Sequence, residues 1–428
     1  MWHVRSVSGA LLALGLVGLV GLAAADEPAA ASAPHLAAPP AGPKEPATEI
    51  DGVPVVGGDT DIGFGIGELS GVARLEDGFT PYRWRVETGA FISFKLKDSR
   101  LDVPYQDYYA LFDAPLPGLR LMVRPSFTDE GTQGYYGLGD ASALPASGGL
   151  ASQTAPFYQY SRIHTQILGR VRFPLTRSVP ALSGIVGAAY TQNWVGVPAG
   201  TKLAEDRVSP DPIVRSILAG PDHHGVAFFE YGLVYDDRDN ELSTKNGQYH
   251  QLKLRLSPGG TDGFLPYGYG QADLILRGYK TIVPRYLTLA ARLVTDLLFG
   301  DPPFYELARY AEDTYAIGGS LGVRGVPAPR YYGKIKVFGN LEARSELWSF
   351  TVLNKPFIVG TALFLDGGRV WADYHRDAAL DGTGLGLKYG LGGGLRVQEG
   401  QTFVVRADIA WSPDAQPIGA YFLAGQMF

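Results

Sequence analysis

The chain has 428 residues, a formal net charge of −6 and no cysteine. That excludes disulfide staples, thiolate catalysis and cysteine-held metals, and gives no charge-based reason for nucleic-acid binding. There are 56 glycines, 24 tyrosines and 20 phenylalanines, and mean hydropathy is near zero although 46% of the residues are hydrophobic. Apolar residues dispersed by alternation suit strands better than a soluble α/β enzyme.

Residues 1–25 have the form of a secretory signal peptide, with Arg5, an apolar core from Ala10 to Leu22, and Ala23-Ala24-Ala25 before Asp26. No later run reaches the roughly 20 apolar residues of a spanning helix. Membrane residence would therefore require a barrel. Residues 26–50 are rich in Ala and Pro (Pro28, Pro34, Pro39, Pro40, Pro43, Pro46) and read as an extended, disordered periplasmic tail.

Residues 51–428 read as one all-β domain, a transmembrane antiparallel β-barrel of about 16 strands. Gly63, Gly65, Gly67 and Gly71 crowd what reads as the first strand. Glycine weakens a strand interior, so the seam between the first and last strands is expected to be the least secure in the barrel. Farther on, Arg162, His164, Gln166, Arg170 and Arg172 alternate with Ile163, Thr165, Ile167, Val171 and Phe173. Gln251, Lys253 and Arg255 alternate with leucines, as do Arg292 with Asp296 and Arg406 with Asp408 opposite apolar neighbours. The apolar faces are expected toward lipid and the polar faces toward the lumen.

His223-His224 closes a long loop and reads as a solvated loop end, since Asp222 alone would not complete a metal site. Tyr235-Asp236-Asp237-Arg238-Asp239-Asn240, followed by Lys245-Asn246-Gly247, reads as a polar periplasmic turn between strands eight and nine. The EF-hand spacing is absent from it. The tyrosines from Tyr105 to Tyr109, Tyr135-Tyr136, Trp348, Trp371 and Trp411 are expected in aromatic girdles.

Gly318-Gly319-Ser320-Leu321-Gly322 has the outline of a hydrolase elbow, but Val323-Arg324-Gly325 follows it instead of a helix, and His375 is the one later histidine. The glycines fit a loop packed tightly inside a barrel. Beyond the loop, Glu342 and Asp366 are isolated acids on two further strands, the latter in Phe364-Leu365-Asp366-Gly367-Gly368. A cation folded back against two carboxylates is expected, because guanidinium stays charged and can fork across both. The chain ends Phe422-Leu423-Ala424-Gly425-Gln426-Met427-Phe428.

These residues resemble the BamA/TamA-type outer-membrane barrels of the bacterial surface antigen superfamily. Val323-Arg324-Gly325 matches the family's inward-folded extracellular loop, with Gly318 and Gly319 leading into it. Glu342 matches the acid of strand twelve, and Phe364, Asp366 and Gly368 match the motif of strand thirteen. Phe422, Gly425 and Phe428 resemble its C-terminal assembly signal. The periplasmic POTRA domains that usually precede the barrel would not fit in residues 26–50, so a short member lacking them is expected.

The resemblance implies a non-enzymatic outer-membrane protein without cofactor or metal. It would assist insertion or translocation of polypeptide, or perturb lipid, at the seam between strands one and sixteen. A passive low-conductance pore or structural protein is the alternative, and an outer-membrane lipid hydrolase lacks a serine, histidine and acid set. Implied partners are outer-membrane lipid and lipopolysaccharide and, during biogenesis, the barrel assembly machinery. A polypeptide client, a separately encoded periplasmic partner and a second copy of the chain stay open.

Overall fold

The computed structural model describes residues 47–76, 82–97, 100–116, 118–142, 156–240, 243–260, 263–311, 314–352, 355–399, 403–414 and 418–428. The expected signal peptide, and the expected tail up to residue 46, lie outside them. Among these residues sixteen antiparallel strands close into one barrel. The first half comprises β1 Ala47–Asp59, β2 Gly63–Leu75, β3 Trp84–Lys97, β4 Tyr105–Leu116, β5 Leu119–Gly134, β6 Gln159–Pro174, β7 Leu182–Gly196 and β8 His223–Asp236. The second comprises β9 Gly247–Pro258, β10 Gly268–Val283, β11 Leu287–Gly300, β12 Ile335–Val352, β13 Lys355–Trp371, β14 Lys388–Glu399, β15 Phe403–Trp411 and β16 Gly419–Ala424. A three-residue piece, Arg100–Asp102, extends the sheet at the end of β3.

Burial is inverted relative to a soluble protein. On β9, Gln251, Lys253 and Arg255 are 6%, 3% and 5% exposed, while Leu252, Leu254 and Leu256 are 41%, 44% and 55% exposed. The strand period of two sends charges to the lumen and leucines to the outer wall. On β6, Arg162, His164 and Arg170 are likewise buried and Ile163 and Ile167 exposed. Lumenal cations find carboxylates there: Arg170 pairs with Glu230, Arg309 with Glu130 at 2.5 Å, and Lys336 with Asp296 at 2.5 Å.

The longer links gather at one end. There helices α1 Lys202–Arg207 and α2 Pro212–Leu218 pack Leu203, Val214, Ile217 and Leu218 against Tyr135, Tyr160, Tyr267, Phe304 and Tyr332. This dome corrects two expectations. Tyr135 and Tyr136 are buried beneath loops instead of joining a girdle. His224 is buried beside Tyr305, whose hydroxyl lies 2.9 Å from its Nε2, while His223 stacks on Trp194 at the surface.

The start of the barrel is also corrected. Strand pairing begins at Ala47, not at residue 51, and β1 takes thirteen residue pairs with β2. Gly63, Gly65, Gly67 and Gly71 therefore lie on the second strand, all paired with β1 and the last three also with β3, and not at the seam. Their service is close approach: a Cβ on Gly67 would stand 2.1 Å from the Ala90 carbonyl oxygen of β3. Pro54 lies within β1, a site compatible with proline because, among the described residues, one edge of that strand is paired at Gly58 and Asp59 alone.

Candidate functional site

The link between β11 and β12 runs from residue 301 to 334 and folds into the lumen. Ile317, Val323 and Val326 are buried against Tyr310, Tyr331, Phe338 and Val370, so the loop carries its own apolar anchor. Gly318 and Gly319 take φ of 121° and 73°, and Gly325 takes 90°, a left-handed region that favours glycine. Gly368 leaves the space the loop needs, since a Cβ there would meet the Ile317 side chain at 2.5 Å.

At the loop's tip the Arg324 side chain is 0% exposed. Its Nε donates to Asp366 Oδ2 at 2.7 Å and Nη2 donates to Asp366 Oδ1 at 3.0 Å, a bidentate fork. Nη1 donates to Glu342 Oε1 at 2.7 Å and to Asp408 Oδ2 at 3.0 Å. The Arg324 backbone N–H also donates to Asp366 Oδ2, at 3.1 Å. The Phe364 ring lies beneath, its centroid 3.4 Å from the guanidinium carbon. One side chain thus engages β12, β13 and β15 together.

Asp408 was absent from the sequence-based cation site, although its alternation with Arg406 already placed it on the lumenal face. Three further cations surround the acids. Arg344 Nε donates to Glu342 Oε2 at 2.7 Å, Arg396 Nη1 to Asp408 Oδ1 at 2.5 Å, and Arg406 Nη1 to Asp408 Oδ2 at 3.1 Å. The Gly325 N–H donates to the Tyr421 hydroxyl of β16 at 2.8 Å, which ties the loop to the last strand. Arg406 Nη2 donates to the Ser320 carbonyl at 3.0 Å, and Asn340 Nδ2 to the Gly322 carbonyl at 2.8 Å. The segment after Ser320 turns into this cluster without forming a helix.

The seam is the second part of the site. Among the described residues β1 meets β16 in two residue pairs, Gly58 with Phe422 and Asp59 with Tyr421. The strand β16 ends at Ala424, and Gly425, at φ 81°, turns the chain inward. Phe428 is buried in the lumen beside Tyr279, with its ring centroid 5.1 Å from the guanidinium carbons of both Arg292 and Arg344. Arg344 Nη2 donates to its carbonyl oxygen at 3.0 Å. Phe422 thus stands at the seam, Gly425 follows the end of β16 and donates to the Val404 carbonyl of β15, and Phe428 has left the seam.

The Omp85 superfamily domain matches residues 120–428. Among curated proteins none matches the chain. Among solved structures, BamA from Haemophilus ducreyi lacking POTRA domains 1-3 is similar in fold, with 15% identity and a TM-score of 0.57 over 89% of this chain and 70% of that one. CdiB from Escherichia coli is similar at 12% identity and a TM-score of 0.55, covering 90% of this chain and 64% of that one, so this chain spans less than two thirds of CdiB. With the superfamily domain spanning more than half of a closed sixteen-stranded barrel, the chain belongs to the Omp85 superfamily of outer-membrane β-barrels.

Proposed function

We propose that the chain is a non-enzymatic outer-membrane barrel that assists insertion or translocation of polypeptide by presenting the edge of β1 at a seam able to part. The observation that carries this reading is the contrast in pairing: two residue pairs between β1 and β16 against thirteen between β1 and β2. A strand edge with unpaired N–H and C=O groups is a template for another extended segment. Ile50, 64% exposed, marks the part of β1 that such a segment would meet. Nucleotide energy has no place in this mechanism. Strand exchange and client folding would supply the work, and Arg324 would hold the loop against β12, β13 and β15 while β16 shifts.

The passive-pore reading is disfavoured by a lumen occupied by the loop, with Val323, Arg324 and Val326 fully buried. Outer-membrane lipid and lipopolysaccharide would be the surroundings of the apolar wall, and a polypeptide the client. A separately encoded periplasmic partner and self-association are compatible with it.

Photo-crosslinking in native outer membranes tests the seam, with probes at Ile50, Phe422 and Gly425 and a control probe at Ile66 on β2, which is 55% exposed. Adducts to other polypeptides are expected from the first three and not from Ile66. Only lipid or intramolecular adducts at all four would remove the insertion reading and favour the pore.

A further inference from the structure

The acid-rich link between β8 and β9 is the longest at the periplasmic end of the barrel, and the seam does not use it. Its described residues are prefolded by their own side chains. Asp239 accepts from the backbone N–H of Lys245 at 2.9 Å and of Asn246 at 3.0 Å, and the Asn240 side chain accepts from Ser243 N–H at 2.8 Å. The carboxylate of Asp239 is thus committed to shaping the chain, as Asp does in turns.

So shaped, the segment from Ser243 to Asn246 reaches across the opening. Ser243 Oγ donates to Gln398 Oε1 of β14 at 2.8 Å, five strands away from β9 around the wall. Lys245 Nζ lies 2.6 Å from Glu346 Oε1 of β12. Nearer its origin, Asn246 Oδ1 accepts from Thr281 N–H at 3.2 Å and the Lys245 carbonyl accepts from the Thr281 hydroxyl at 3.2 Å, both on β10. Thr244 is buried by these ties. Above the segment lies a cavity of about 60 Å³, lined in part by Thr288, Arg344, Arg396 and Gln426. Gln426 belongs to the inward-turned end of the chain.

We propose that Ser243–Asn246 is a strap that closes the periplasmic mouth beneath the inward-turned terminal residues. The inserted loop fills the lumen from the outer side and the strap covers it from the other. A chain entering from the periplasm must lift the strap first. Among the described residues its attachments to β12 and β14 include a hydrogen bond and a half-exposed ion pair, of a kind weak enough to exchange with those of an incoming polar segment. The strap is separate from the seam, and either can exist without the other.

The test uses the absence of cysteine in the chain. Thr288→Cys places a single thiol on the lumenal face behind the strap, and its reaction with a bulky, membrane-impermeant maleimide is followed in reconstituted vesicles of phosphatidylethanolamine and phosphatidylglycerol. Labelling is expected about tenfold faster in Ser243→Ala/Lys245→Ala than with the strap intact, the ratio that loss of two such polar ties allows. Arg376→Ala, which cuts an exposed tie in the link between β13 and β14 at the opposite end of the barrel, is expected to leave the periplasmic rate unchanged. If the double variant fails the heat-modified migration of a folded barrel, Gln398→Ala cuts the same tie from the opposite wall. Equal rates with the strap intact and released would overturn the proposal.

Discussion

Arg324 distributes its three guanidinium nitrogens over three carboxylates, two of which, Glu342 and Asp408, also serve other arginines. Removing it strips the buried Asp366 of its guanidinium fork, and breaking a buried pair in this way costs about 3–5 kcal/mol. Arg324→Ala is therefore expected to lower barrel stability by that order in urea unfolding and to open the segment from Gly318 to Gly325 to protease. Arg324→Lys should restore only part of it, because an ammonium cannot fork across Asp366. Native stability in the Ala variant would contradict this role. Sequence alone brought Arg324, Glu342 and Asp366 together, since each stands in a recognisable short motif. Asp408 and Tyr421 were not legible as partners: they lie 84 and 96 residues from the groups they bind, and on its strand Asp408 looked like any other lumenal charge.

At the scale of elements, the loop and β16 are joined through the Tyr421 hydroxyl. Tyr421→Phe keeps the ring and leaves the Gly325 N–H without its acceptor, a loss of about 1–3 kcal/mol for a buried donor. Faster amide hydrogen exchange is expected both at Gly325 and along β16, read by mass spectrometry of peptides covering residues 318–326 and 419–424. Acceleration confined to the loop would mean that the two elements move independently. The strands themselves were legible wherever charge alternated with leucine, as on β9 and β11. The first was not: Val53-Pro54-Val55-Val56-Gly57-Gly58 has no alternating charge, and Pro54 suggests the end of a tail. Its strand character comes from pairing with β2, so the glycines of β2 took its place in the sequence reading. The dome was hidden for a related reason, because Tyr135, Leu218 and Tyr332 come together only once the barrel brings their loops to one rim.

Over the whole molecule, apolar side chains cover the outer wall and ion pairs fill the interior, so the hydrophobic effect selects a position in the bilayer while charge organises the lumen. Composition and alternation made that inversion readable before any contact was known. The long reach of the loop's bonds also has a consequence for the order of folding. Arg324 is made before Asp366, Asp408 and Tyr421, and contacts so distant along the chain close only after large loops have been drawn together. The loop therefore engages after the C-terminal strands are in place, and its burial becomes a record of a finished barrel. In a pulse-proteolysis time course of assembly, protection of residues 318–326 should coincide with pairing of the last strands. Protection that precedes β15 would place the loop among the early nuclei. With the predicted order, a barrel halted before its last strands would carry an exposed glycine-rich segment on its outer side, a ready mark by which proteases could tell an abandoned chain from a completed one.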